Sequence, residues 1–185
     1  MKKKKTSLWV TFVLAVLAIS MIAGCKKSDD SGQASGAGGA STALLPASLF
    51  LTAAPGEPVA VKQVKTQAME GDEVIVRVVV GGEVNVFVEG RAIVKVIDTE
   101  MKNLCLSPDD SCKTPWDYCC STTEELQPHR AMVRVVDTEG KTLKANLKGA
   151  GKIEEMKTLV IKGVVTKGSN EKYLVINAQG IYVEN

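Results

Sequence analysis

The 185-residue chain predicts an all-β domain: a small five-stranded Greek-key barrel with one short helix and a cysteine-rich loop between strands two and three. Three observations carry that expectation. The apolar residues after Val59 are mostly Val and Ile in short runs, the residue types that favour strands over helices. Glycine-containing turns separate the runs. The folded part, from about Val59 to Asn185, is roughly 125 residues, the size of a single core.

Taken in order, Glu73–Val80 is the first strand, closed by Gly81-Gly82. Arg91–Asp98 is the second and Arg130–Asp137 the third. Lys141–Leu147 extends the third as a hairpin across Thr138-Glu139-Gly140, with Leu143, Ala145 and Leu147 on one face and Thr142, Lys144 and Asn146 on the other. Gly149 to Lys157 predicts a short helical turn. Thr158–Thr166 and Lys172–Asn177 form a last hairpin, which Ile181–Val183 continues. Arg91–Glu100 and Arg130–Glu139 match at seven positions in ten. The simplest account is two amphipathic strands with Ala and Val on one face and Arg and Lys on the other. A sharper account pairs Asp98 with Asp137 around the intervening loop.

This order resembles the OB-fold, a five-stranded, partly open barrel. The third strand then spans Arg130–Leu147, and Tyr173–Val183 forms the fifth. The insertion covers residues 101–129. With its Thr114-Pro-Trp-Asp-Tyr-Cys-Cys120 segment, the chain also resembles a group of uncharacterised exported bacterial proteins carrying an OB-like domain. That group brings no established activity.

The amino terminus carries a different signal. Lys2, Lys3, Lys4 and Lys5 precede an apolar run from Leu8 to Ala23, which ends in Ile22-Ala23-Gly24-Cys25. A charged start, an apolar core and small residues before a cut are the parts of a secretory signal peptide. The run is shorter than the ~20 apolar residues a membrane span needs. Its ending resembles the lipobox of bacterial lipoproteins. The resemblance implies cleavage after residue 24, a diacylglyceryl group and often an N-acyl (palmitate-type) chain on Cys25, and anchoring on the non-cytoplasmic side of a cell-envelope membrane. Lys26 stands where Asp favours inner-membrane retention in enterobacteria, so sorting to the outer membrane is open. Residues 25–58 are expected to be a tether. From Lys26 to about Thr42 it is polar and small, whereas Leu44–Pro58 is more apolar, proline-broken, and either packs on the domain or stays extended.

Four of the 23 basic residues and none of the 21 acidic ones precede Cys25, leaving a mature formal charge of −2. A strongly basic nucleic-acid surface is therefore not indicated, despite the barrel type. The possible aromatic platform comprises Phe87, Tyr173 and Tyr182.

Cys105, Cys112, Cys119 and Cys120, the other four cysteines, all lie in the insertion. Three chemistries are open to them. An oxidising compartment, an even count and a loop too polar to hold itself favour disulfide staples, with Cys119 and Cys120 bonding to Cys105 and Cys112. Zinc or another soft metal suits the same thiolates, with Asp117 or His129 in reserve, although no Cys-x-x-Cys spacing is present. A redox pair at Cys119-Cys120 is the third. His129, the only histidine, is expected to be solvated rather than coordinating. Trp116, Asp117 and Tyr118 form either a binding surface for an envelope protein or glycan, or the loop's own small core. No nucleophile–base pattern or phosphate loop points to an enzyme. The expectation is a membrane-tethered, non-catalytic binding or structural module, with an envelope metal-binding or thiol redox protein as the alternative.

Overall fold

The computed structural model describes residues 44–107 and 111–184. Cys25 and the segment expected to be a signal peptide lie outside them. Five strands, β1 (Glu73–Val80), β2 (Ile93–Asp98), β3 (Arg130–Arg134), β4 (Thr158–Val165) and β5 (Val175–Val183), close in the order β1-β2-β3-β5-β4. All neighbours are antiparallel except β3 and β5. This is the OB-like barrel the sequence predicts, with the cysteine-rich insertion between β2 and β3.

Two-residue periodicity builds the interior. Val74, Val76, Val78 and Val80 of β1 point inward and meet Leu159, Ile161 and Val165 of β4 and Ile176, Ala178 and Ile181 of β5. The two similar segments are neighbouring strands, with Val94 opposite Val133 and Val96 opposite Ala131. Their Ala and Val residues are buried, which supports the simple account of their likeness. Asp98 is 1% exposed, whereas Asp137 caps an open turn by accepting from the Glu139 and Lys141 amides. The antiparallel register sends the two carboxylates to opposite ends of the strand pair.

The short helical turn expected within residues 149–157 is a 3₁₀ turn at Ala150–Lys152. Gly149, Gly151, Lys152 and Met156 all take positive φ, which an α-helix cannot propagate. The longer helix is α1 (Val61–Gln67), preceding the barrel. Its Val61 and Val64 lie one turn apart and enter the core. Ala60 at its start offers no side-chain cap, so no start signal announces it. Lys65 of α1 is 7% exposed, and its ammonium donates to the carbonyls of Gln127 (2.5 Å) and Lys172 (3.3 Å). These bonds tie α1 to the end of the insertion and to the β4–β5 loop. Burial, followed by the charge of Arg130, lowers the Lys65 pKa to about 8.

Lys141–Leu147 forms no regular strand but keeps its alternation, with Ala145 and Leu147 buried and Thr142 bridged to Val136. Residues 44–58 take the packed alternative. Leu49 is 2% exposed within the core, and the Leu51 amide donates to the Ile181 carbonyl at 2.9 Å. The packed domain thus begins upstream of Val59. Leu49→Ala should lower unfolding free energy by about 2–5 kcal/mol, the usual cost of emptying a leucine site. Urea titration checks this; an unchanged midpoint would return the segment to the status of a solvated tether.

Candidate thiolate centre

The insertion leaves β2 at Asp98 and turns back over the outside of the barrel. Its seat is a second apolar cluster of Ile97, Tyr118 and Leu126, flanked by Val79 and Met101. This explains why the alternation of β2 fails at its end, where Val96, Ile97 and Asp98 are all buried. Tyr118 is 2% exposed, and burial pushes its phenol pKa up. Trp116 is half-buried against the main core, with its indole N–H donating to the Val84 carbonyl at 3.1 Å. Both rings pack on the barrel rather than forming a core of the loop's own. Gly81 and Gly82 make the seat possible: the Gly82 amide donates to the Trp116 carbonyl at 2.7 Å, and a Cβ on Gly81 would stand 2.8 Å from that oxygen.

Short turns then aim the cysteines. Asn103 accepts from the Cys105 amide (3.0 Å) and donates to the Pro115 carbonyl (2.8 Å), joining the two arms of the loop. Cys105 stands on the 3₁₀ turn Leu104–Leu106, and a second 3₁₀ turn runs from Pro115 to Asp117. Tyr118, at φ 58°, reverses the chain so that Cys119 and Cys120 face back toward Cys105. Thr122 and Glu125 form a reciprocal capping box that starts α2 (Thr123–Leu126). Neither Asn103 nor this box was singled out from the sequence. Thr122-x-x-Glu125 is nevertheless a legible signature.

The four sulfurs converge. Cys105 Sγ lies 3.0 Å from Cys120 Sγ and 3.5 Å from Cys119 Sγ; Cys119 Sγ lies 3.3 Å from Cys112 Sγ and 4.0 Å from Cys120 Sγ. Ligand atoms of Cys105, Cys112, Asp117 and Cys119 all fall within 4.8 Å of one another, so this cluster can hold a metal ion. Cys105 is buried, Cys112 half-buried, and Cys119 and Cys120 exposed, which leaves the centre open on one side. The expected staples are not formed among the described residues. A disulfide needs sulfurs about 2.05 Å apart, and the shortest separation is 3.0 Å.

The polar surroundings are uneven. Burial opposes ionisation of Cys105, but bonds from the Cys120 thiol and amide, then from Cys119 and Cys112, outweigh it and hold the pKa below the usual thiol value. Cys119 is pushed far up by its bonds with Cys112, Cys105 and Asp117. Asp117 accepts from the Cys119 amide and from the Thr114 hydroxyl, both at 2.8 Å. Burial raises its pKa, but these bonds prevail and hold it below the usual carboxylate value.

His129, expected to be solvated, is instead largely enclosed. It is 18% exposed, with Nδ1 3.9 Å from the buried Asp98 carboxylate. Comparison with protein-family models, curated proteins and solved structures gives no match to this chain. Among the described residues, no helix is long and apolar enough to cross a membrane.

If the glycine seat positions the cysteines, Gly81→Ala should unseat the loop at a cost of about 1–3 kcal/mol, as overpacking does. Trp116 emission should shift to the red and proteolysis within residues 101–129 should accelerate. Unchanged emission and cleavage would show that Gly81 is not the constraint.

Proposed function

We propose that the protein is an exported, lipid-anchored, non-catalytic binding module of the cell envelope, and that its insertion binds zinc or a similar soft metal. One observation carries the metal reading: ligand atoms of Cys105, Cys112, Asp117 and Cys119 gather within 4.8 Å of one another, with Cys119 Sγ 3.5 Å from Cys105 Sγ and 3.3 Å from Cys112 Sγ. A zinc–sulfur bond of about 2.3 Å sets the sulfur–sulfur edge of a zinc tetrahedron near 3.8 Å, close to these separations. Cys105, Cys112 and Cys119 are three ligands of the proposed site. Asp117, whose carboxylate falls within the same 4.8 Å group and already accepts from the Cys119 amide, supplies the fourth; Cys120, 3.0 Å from the Cys105 sulfur, is the alternative. A divalent cation also answers the electrostatic problem, since it allows neighbouring thiols to ionise together. Irregular ligand spacing is no obstacle once separate turns have delivered the sulfurs.

A second reading has its own geometric support. The two shortest separations fall in disjoint pairs, Cys105–Cys120 and Cys112–Cys119. They follow the pairing class expected for a stapled loop, whereas the 4.0 Å between Cys119 and Cys120 makes the vicinal redox ring the less favoured option. The anchor rests on the Ile22-Ala23-Gly24-Cys25 ending, and nucleic acid remains disfavoured by the acidic mature charge.

Reduced Cys25→Ser protein, which retains the four loop cysteines, tests the metal centre. About one zinc per chain is expected, with the Cys105, Cys112 and Cys119 thiols protected from alkylation until a chelator is added. Cys105→Ser or Cys112→Ser should weaken zinc binding at least ~100-fold, because each removes a direct ligand, a larger loss than the 10–100-fold typical of outer-shell changes. Two disulfides together with no zinc uptake after reduction would overturn the metal reading in favour of staples. Independently, wild-type protein should incorporate labelled fatty acid and sediment with membranes. Cys25→Ser should incorporate none and be retained as the uncleaved precursor; label in that variant would overturn lipidation at Cys25.

A further inference from the structure

The outer face of β2 and β3 carries a second feature that uses none of the sulfurs. A cleft of about 260 Å³ lies between β3, the α2 region and the β4–β5 loop. Lys95, Arg130 and Lys172 line it, against the single carboxylate of Glu83. Glu83 already pairs with Lys95. Arg130 enters no ion pair among the described residues, and its Nε is buried with no hydrogen-bond partner there. Buried donors are nearly always satisfied in native proteins, and an orphaned one costs about 1–3 kcal/mol, more when charged. Lys65, largely buried nearby, adds positive charge; its ammonium binds the carbonyls of Gln127 and Lys172, two residues that line the cleft. The effect of Arg130 on Lys65 shows the two cations are close enough to repel.

We propose that this cleft binds a small ligand through a phosphate-type oxyanion, with Arg130 as the principal contact and Lys172 at the rim. Guanidinium suits the role because its planar fork offers several donors to one oxyanion, whereas lysine acts as a point charge. An anion here gives the Arg130 guanidinium, which enters no ion pair among the described residues, a counter-charge and offsets the repulsion between Arg130 and Lys65. Tyr173, 68% exposed at the same cleft, offers a ring face to the organic part of such a ligand. A second cleft shares Glu83, Lys95 and Arg130 and reaches Asp117 and Cys119, so the oxyanion site opens toward the thiolate centre.

Calorimetric titration of the full chain with inorganic phosphate, at ionic strength held constant with sodium chloride, tests the site. Saturable binding is expected. Arg130→Gln should weaken it at least tenfold and Arg130→Lys by less, while Lys144→Gln, an exposed lysine outside the cleft, should leave it unchanged. If Arg130→Gln does not fold, the rim variant Lys172→Gln decides, with about a threefold or greater loss expected. Absence of saturable heat in wild-type protein would overturn the proposal. So would wild-type affinity in Arg130→Gln or, where that variant does not fold, in Lys172→Gln, or an equal loss in Lys144→Gln. Zinc content and thiol count, measured on the same samples, separate failure here from failure of the metal reading.

Discussion

Closure of the barrel through β1 is the constraint on which the other features rest. β1 pairs with β4 along Glu73–Val79 and with β2 at Val78–Val80, so one strand joins both sides of the sheet. Closure removes the exposed edges that an open five-stranded sheet would present. It also fixes where β1 ends, and Gly81-Gly82 follow at that point. Their missing side chains let the insertion's backbone approach the barrel wall, and Tyr118 fills the adjoining pocket. The position of the thiolate centre is therefore inherited from the barrel through one glycine pair and one aromatic ring.

The insertion cannot hold itself by apolar burial alone. Its cluster consists of Ile97, Tyr118 and Leu126 with two partly buried neighbours, too little to order a segment of this length against its chain entropy. Polar devices supply the rest: the Asn103 clamp, the Asp117 turn and the Thr122–Glu125 capping box. A cross-link through the sulfurs, whether by metal or by disulfide, would complete the same task. The proposed metal reading thus gives the centre a structural role before any question of transport or sensing arises. The exposure of Cys119 and Cys120 keeps its open side within reach of solvent.

The β2–β3 face shows how the fold redistributes charge that composition averages away. A chain with a formal charge of only +2 still concentrates Lys95, Arg130 and Lys172 at one cleft, with Lys65 buried nearby. Strand alternation turns Lys95 and Arg130 outward while their Ala and Val neighbours fill the core. The β4–β5 loop then brings Lys172 to the same place, although it lies far from both in sequence.

Much of the barrel was legible in the residues. Glu73–Val80 is a strand with the predicted ends, and β2, β3, β4 and β5 fall within the predicted segments because period-two burial is a local property of the chain. The helical turn within residues 149–157 stays short because Lys152 and Met156 take positive φ, which an α-helix cannot propagate. α1 was missed because seven residues without a cap carry too little periodicity to declare themselves. Residue types nominated all four loop cysteines and the Trp116–Tyr118 segment as significant, but left staple, metal and binding surface open. Tertiary structure decided that the aromatics pack inward, that His129 stands beside Asp98, and that the sulfurs of Cys105, Cys112, Cys119 and Cys120 meet without bonding. The physical reason is distance: strand formation depends on neighbours two residues apart. Sulfur geometry depends on how Asn103, Tyr118 and Gly81 fold three turns against a barrel wall.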